Sequence, residues 1–397
     1  MYPSRVSLAL PYWTGATYRA IARSFFSGGI VYGPDLANLK SLIIQKLGVE
    51  DAVLCGSGSL ALEICLRACG VRENDEVVIP TFCCTALVPP ILAVGAIPVL
   101  ADVGEELNLT AQTMETSLTE KTKAVVVPHL FGNPADVDAI MDLARDRNVR
   151  VIDDAAQALG ATIDGRLAGS FGDAGILSFG NEKVCSGFGG GAAVSRHKNI
   201  LVGDSQLKLP PAQLSPALQN FFLTLLWRRW RRWTFPAEKS FCRPKRAPDE
   251  PPAPYKSETM ANLNAAVAVS LLQTLGENIA ARRARVHAYQ ELLGADKRLE
   301  FIAHRSGSAC LTQVVRVLPR RREDDLAVRL IETLGRAGYE VQGSYVPIHL
   351  LAHYESYVRR PLPHAERVWA DLIELPCEPD VSLDDVERIT DIVKRLC

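Results

Sequence analysis

From about residue 50 the chain alternates short, almost wholly apolar runs with stretches whose apolar residues recur at helical spacing. AVLC (52–55), EVVIP (76–80), IPVLADV (97–103), KAVVVPHL (123–130), VRVIDD (149–154) and ILSFG (176–180) have the length and β-branched content of buried strands. Between them lie helical patterns. LALEICLRACG closes on Gly70, and Val137, Ile140, Met141 and Ala144 repeat behind Asn133-Pro134, which reads as an N-cap with proline in the first turn. Strand–helix alternation of this kind predicts an α/β fold with an open, mostly parallel sheet. The last third returns to long helical patterns (261–292, 324–337, 383–396) around short strands such as QVVRVL (313–318), which predicts a second, smaller α+β domain. The expected organisation is a large domain over 15–255 and a small C-terminal domain over 256–397, joined by the N-terminal segment 1–14. Residues 198–255 fit neither pattern and read as a basic, Trp/Pro-rich insertion in the large domain.

Composition removes several classes of function. The 397 residues carry 44 basic and 45 acidic side chains, a formal net charge of −1, so no global positive field draws the chain to nucleic acid. Ten cysteines without a CxxC pair, and an N-terminus (MYPSRVSLALPYW) without the pattern of a secretion signal, predict free thiols and a cytoplasmic protein. Seven histidines, with no HxH and a lone HxxxH spacing at His349 and His353, give no expectation of a metal site.

In an open parallel sheet, ligands bind beyond the carboxyl ends of the strands, so the residues just after each strand carry the chemistry. CGSGSLAL (55–62) is a small-residue turn running into a helix, and the backbone N–H groups at Ser59 and Leu60 suit a phosphate. The turn also matches a dinucleotide fingerprint. The acidic residue wanted at the end of the next strand is missing, since Asp75 and Glu76 stand at the start of EVVIP, and this weakens a nicotinamide reading. VIDDAAQALGA (151–161) puts Asp154 at the mouth of a buried strand. SFGNEKVCSGFGGG (178–191) puts Lys183 in a glycine-bounded loop, five residues after Ser178. A lysine amine in such a loop is a nucleophile toward aldehydes. A phosphate turn, an aspartate and a lysine at successive strand ends are the parts needed to hold pyridoxal 5′-phosphate (PLP), whose ring works as an electron sink when its nitrogen stays protonated.

With these stretches the sequence resembles the DegT/DnrJ/EryC1/StrS family of PLP-dependent sugar aminotransferases. The matching segments are GGIVYGPDLANLKSLIIQKLGVEDAVLCGSGSLAL (28–62), DEVVIPTFCCTALVPPILAVGAIPVLADV (75–103), PHLFGNPADVDAI (128–140), IDDAAQALGA, GSFGDAGILSFGNEKVCSGFGGG (169–191), ARRARVHAYQELL (281–293) and YVPIHL (345–350). The resemblance implies the type I fold of PLP-dependent transferases, with a mostly parallel seven-stranded sheet. It implies that Lys183 forms the internal aldimine and shuttles the proton. Asp154 would pair with the pyridine nitrogen, Ala156 would pack on one ring face and Gln157 would meet the phenolic oxygen. Ser178, Ser59 and Leu60 would hold the phosphate, and Cys84 stands where relatives stack a ring on the cofactor. His129 and His349 are the substrate-side candidates. The family also implies a homodimer with shared active sites, and transfer of an amino group from an amino acid, usually L-glutamate, to a keto-sugar nucleotide. The same fold acting on a cyclitol or a lipid-linked ketone, or serving as an inactive scaffold, stays open at this stage.

On a helical wheel Phe222, Leu223, Leu226, Trp227, Trp230 and Trp233 share one arc and Arg228, Arg229, Arg231 and Arg232 the opposite one, while Phe221 and Leu225 break the division. Three readings of 221–233 stand side by side: packing on the enzyme or its partner, arginines that bind a substrate pyrophosphate, and peripheral membrane contact.

Overall fold

The computed structural model describes residues 6–8, 12–198, 200–201, 209–234, 254–318 and 325–397, with the backbone alone for 227–234. Along its first half run β1 (Asp51–Cys55), β2 (Glu76–Pro80), β3 (Ile97–Ala101), β4 (Thr122–Pro128), β5 (Arg150–Asp154), a small hairpin of β6 (Thr162–Ile163) and β7 (Arg166–Leu167), then β8 (Ala174–Ser178) and β9 (Gly191–Ser195). Seven of them form one sheet in the order β1-β9-β8-β5-β4-β2-β3, in which β9 alone runs against the rest. The six expected strands are all present. The seventh, GAAVS, was hidden by its small residues, which are nonetheless fully buried.

Strand alternation sorts the valines and isoleucines between two helical layers. Ala124, Val126 and Ile152 join the core under α3 (Gly58–Ala68), whereas Val125, Val127 and Val151 face the opposite core. With α1 (Gly15–Phe26) and α2 (Asp35–Leu47), the second layer is completed by α8 (Asn262–Gln273). Leu263, Val267 and Leu271 of α8 share a core with Ile21, Leu39 and Ile43. The apolar residues of α8 are thus spent on the core of the large unit, although the helix lies beyond residue 255. Before it stands α7 (Leu214–Thr234), and after it the long α9 (Leu275–Leu293).

The small unit is an antiparallel sheet, β10 (Leu299–Phe301), β11 (Thr312–Val317), β12 (Gln342–Gly343) and β13 (Leu372–Pro376), in the order β10-β11-β13-β12. Helices Leu326–Arg336 and Leu383–Leu396 pack on it with α9. Val6 adds itself to this unit, since its N–H donates to Gly338 O (3.1 Å) and its carbonyl accepts from Glu340 N (2.9 Å). A buried Arg282–Glu378 ion pair ties α9 to the segment after β13, and Arg282 also donates to Leu311 O at 2.9 Å. None of the described helices is long and apolar enough to cross a membrane.

Candidate active site

The parallel strands β1, β2, β4, β5 and β8 all end on one edge, and a cleft of about 750 Å³ opens there. Its phosphate-sized corner is the start of α3. Ser57 is the N-cap: its Oγ accepts the Leu60 N–H at 3.1 Å and donates to Lys256 O at 3.0 Å. The N–H groups of Gly58 and Ser59 belong to the first turn, have no helical partner and border the cleft. A Cβ on Gly58 would sit 3.0 Å from the Ser178 Cβ, so the bare glycine lets the end of β8 close against this turn. Leu60 does not line the cleft. Its side chain is buried in the core and its N–H is already taken by Ser57, which moves the available donors one residue back, to Gly58 and Ser59. Serine at an N-cap is a strong local signal, and applied to Ser57 it would have given this answer from sequence.

β5 ends in two carboxylates that strand alternation sends to opposite faces. Asp153 is fully occupied: its Oδ2 accepts from Gly169 N (2.8 Å) and Phe171 N (2.7 Å), and its Oδ1 meets His129 Nε2 at 2.6 Å. Asp154 lines the cleft and accepts from Ala156 N at 2.8 Å. Burial pushes the Asp154 carboxyl up to about 6, opposed by the Ala156 N–H and the charges of Lys183 and His129. A buried carboxylate with so little compensation favours a cationic partner, and a protonated pyridine nitrogen is one. His129 reaches the cleft wall, but both ring nitrogens serve the protein, Nε2 on Asp153 and Nδ1 accepting from Ala135 N at 3.0 Å. In this arrangement the ring is turned to Asp153 and the Ala135 backbone.

Gln157 is held from two sides. Its Oε1 accepts from Phe131 N (2.9 Å) and its Nε2 donates to Tyr345 Oη (2.9 Å), which leaves one amide hydrogen on Nε2 for a ligand in the cleft it lines. Neither Phe131 nor Tyr345 stood out in the sequence, because both act through residues distant along the chain. Phe82 is buried against both rings, with centroids 6.3 and 6.1 Å away, and does not line the cleft. Cys84, half-buried, stands at the cleft wall beside Ala86.

Lys183 projects from the loop between β8 and β9, and that loop is rigidly tied. Phe179 N donates to Gly190 O (2.9 Å), and Gly187 N and Gly189 N both donate to Phe179 O (2.8 and 3.1 Å). Trp13 Nε1, Asn264 Nδ2 and Asn278 Nδ2 donate to the carbonyls of Ser186, Gly187 and Val184. Glu182 and Phe188 take left-handed backbone angles (φ 65° and 52°), unfavourable for side-chain-bearing residues and held here by these bonds. Ser178, Asp154, Ala156, Gln157, Ser59, Cys84 and Lys183 thus share one cleft. His349 does not: its Nδ1 bonds Thr81 Oγ1 at 2.7 Å and its Nε2 meets Glu366 at 3.2 Å, in the packing between β2 and the small unit.

These residues fit a phosphorylated pyridine aldehyde, with N–H donors and a hydroxyl for the phosphate, a buried acid for the ring nitrogen and an amine for the aldehyde. Lys256 and Glu258 close the corner over Gly56, whose N–H donates to Glu258 O at 2.8 Å. The α7 residues Asn220, Leu223 and Thr224 line the same cleft. Over 221–226 the wheel arc is not the face that packs. Phe221 is 5% exposed and Leu225 joins the core, while Phe222, Leu223 and Leu226 are half exposed. The side chains of Trp227, Trp230, Trp233 and the four arginines, on which the membrane and pyrophosphate readings rest, lie outside the described residues.

The model of the DegT/DnrJ/EryC1/StrS aminotransferase family matches residues 15–209 and 249–394. The chain is 29% identical to GDP-perosamine synthase of Caulobacter vibrioides, over 90% of this chain and 88% of that one. A shorter stretch, 39% of this chain and 42% of the relative, is 44% identical to UDP-N-acetyl-3-dehydro-alpha-D-glucosamine 3-aminotransferase of Acidithiobacillus ferrooxidans. Among solved structures, the aminotransferase TlmJ from Streptoalloteichus hindustanus superposes with a TM-score of 0.78 at 27% identity, over 98% of both chains. The fold, the strand-end cleft and these matches agree: the chain belongs to the DegT/DnrJ/EryC1/StrS family and is a PLP-dependent aminotransferase.

Proposed function

We propose that this enzyme moves an amino group from an amino acid, L-glutamate by preference, to a keto-sugar carried on a nucleotide, with Lys183 as the residue that carries the cofactor. The observation that supports it most is the grouping of Lys183, Asp154, Ser178 and the Gly58–Ser59 turn in one cleft. At about 750 Å³ that cleft is sized for a drug-sized ligand, well beyond a small amino acid. Bound PLP supplies an electron sink that makes the Cα–H bond of an attached amine acidic. Lys183 Nζ would take the proton from the donor's Cα and later return one. Asp154 would hold the ring nitrogen protonated, and the Gln157 amide would orient the ring through its phenolic oxygen. The donor leaves as a 2-oxo acid and the acceptor as an amino-sugar, so the exchange needs no outside oxidant or reductant. The similarity to GDP-perosamine synthase favours a nucleotide-linked acceptor.

A homodimer fits the surface beside the cleft. Phe26, 94% exposed, and the half-exposed Phe222 flank the packed Phe25–Phe221 pair, and a second copy would cover this apolar area. Sedimentation equilibrium should give twice the chain mass, and Phe26→Asp should shift it toward monomer.

The test of the function uses two separated half-reactions. Enzyme loaded with PLP should convert to its aminated form with L-glutamate. After removal of glutamate it should return to the starting absorbance with a GDP-, UDP- or dTDP-linked keto-hexose, releasing an amino-sugar detectable by mass. Conversion by glutamate with no return by any nucleotide-linked ketone would exclude this acceptor class.

A further inference from the structure

The family match stops at residue 209 and resumes at 249, so α7 lies outside it, yet α7 builds part of the active-site wall. Three faces of the helix do three things. Ala217, Phe221 and Leu225, four residues apart, face the enzyme body. Phe222 and Leu226 stand open. Asn220, Leu223 and Thr224, spaced i, i+3, i+4, face the cleft that holds Lys183 and Asp154.

The helix is fixed at two points that are themselves parts of the site. Phe221 packs on Phe188, in the Lys183 loop, at 5.6 Å between centroids, and on Phe25 of α1 at 5.2 Å. Ahead of the helix, Thr259 N donates to Pro210 O and Ala212 N donates to Thr259 Oγ1, both at 3.0 Å. Thr259 continues the segment whose Lys256 carbonyl accepts from Ser57 in the phosphate turn. The wall formed by α7 is thus braced against both the lysine loop and the phosphate corner.

We infer that α7 is the acceptor-specificity element of this enzyme, and that Asn220, Leu223 and Thr224 contact the nucleoside end of the acceptor and not the amino-acid donor. This rests on the reading that the acceptor is nucleotide-linked. The donor reacts at Lys183 and is too small to fill the cleft. The remaining wall offers an apolar side chain for a planar base together with an amide and a hydroxyl for polar edges. Leu223 is 53% exposed, so truncating it removes a contact surface without opening the core.

The experiment measures binding of GDP, UDP and dTDP to the PLP-loaded enzyme by calorimetry, alongside the rate of conversion by L-glutamate. At least one nucleotide should bind. Leu223→Ala and Asn220→Ala should each weaken it about tenfold while the glutamate rate stays within twofold of the parent, and Leu214→Ala, half exposed on the first turn of α7, should change neither. Nucleotide affinity unchanged in both cleft variants overturns the inference. So does an equal loss in nucleotide affinity and glutamate rate, which would show a general disturbance of the site. If glutamate converts the enzyme and no nucleotide binds, the inference falls and the aminotransferase assignment stands. If glutamate fails in the parent enzyme, the donor reading falls independently.

Discussion

The floor of the cleft and its α7 wall are built on different principles. The floor is made of strand ends. Asp154, Ser178 and Lys183 take their places from buried strands and a loop closed by backbone hydrogen bonds, so moving any of them would disturb the central sheet. The wall is a single helix held by one packed face, Ala217, Phe221 and Leu225, and a pair of hydrogen bonds ahead of it, with another apolar face left open. A floor of that kind suits the part of a reaction that stays the same, and a separately braced wall can change without unfolding the enzyme. The family match covers the floor and omits the wall.

Removing the floor's central residue should have the largest effect. Lys183→Ala should lower turnover by roughly 10⁴-fold, as measured by steady-state kinetics, if the residue has the proposed double role of cofactor attachment and proton carrier. Asp154→Asn should cost roughly 10²-fold or more in turnover and also change stability in a signed way. The folded protein raises this carboxyl from its ordinary value near 4 to about 6, so it binds the proton more tightly than the unfolded chain does. Cofactor-free protein therefore loses stability as pH rises between about 4 and 6, and above 6 carries the whole cost, about 3 kcal/mol. Urea unfolding of the cofactor-free proteins should find Asp154→Asn more stable than the parent at pH 8 and equal to it near pH 3.

Two smaller effects address the braces. Phe221→Ala removes a buried ring between α1 and the lysine loop, a change that costs about 3 kcal/mol in a well-packed core. It should loosen α7, read as faster proteolysis within 214–234 and weaker nucleotide binding, with the lysine loop still able to take up PLP. Ser57→Ala should cost about 1 kcal/mol in urea unfolding through the lost N-cap, and should weaken PLP binding by a few-fold because the corner is no longer tied to Lys256.

The floor was legible in the sequence because strand ends are marked locally. Alternation in VRVIDD separates Asp154 from Asp153, and glycines bracket Lys183. What escaped was set by pairings between distant residues. Leu60 looked available because the turn's position is written in the sequence, while the competition for its N–H depends on how Ser57 is oriented. His349 looked like a substrate residue, but Thr81, 268 positions away, holds its ring. In α7 the residue that breaks the amphipathic pattern, Phe221, is the one the fold uses, because Phe25 and Phe188 offer it a place that a helical wheel cannot show.

The most direct test of the central claim is borohydride reduction of the PLP-loaded protein, followed by peptide mapping of the attached cofactor, with and without prior L-glutamate. The cofactor should be found on Lys183 before glutamate and be absent from the chain after it, with the visible absorbance bleached. A cofactor label on another lysine, or a Lys183 label untouched by glutamate and by every other amino acid tried, would contradict it.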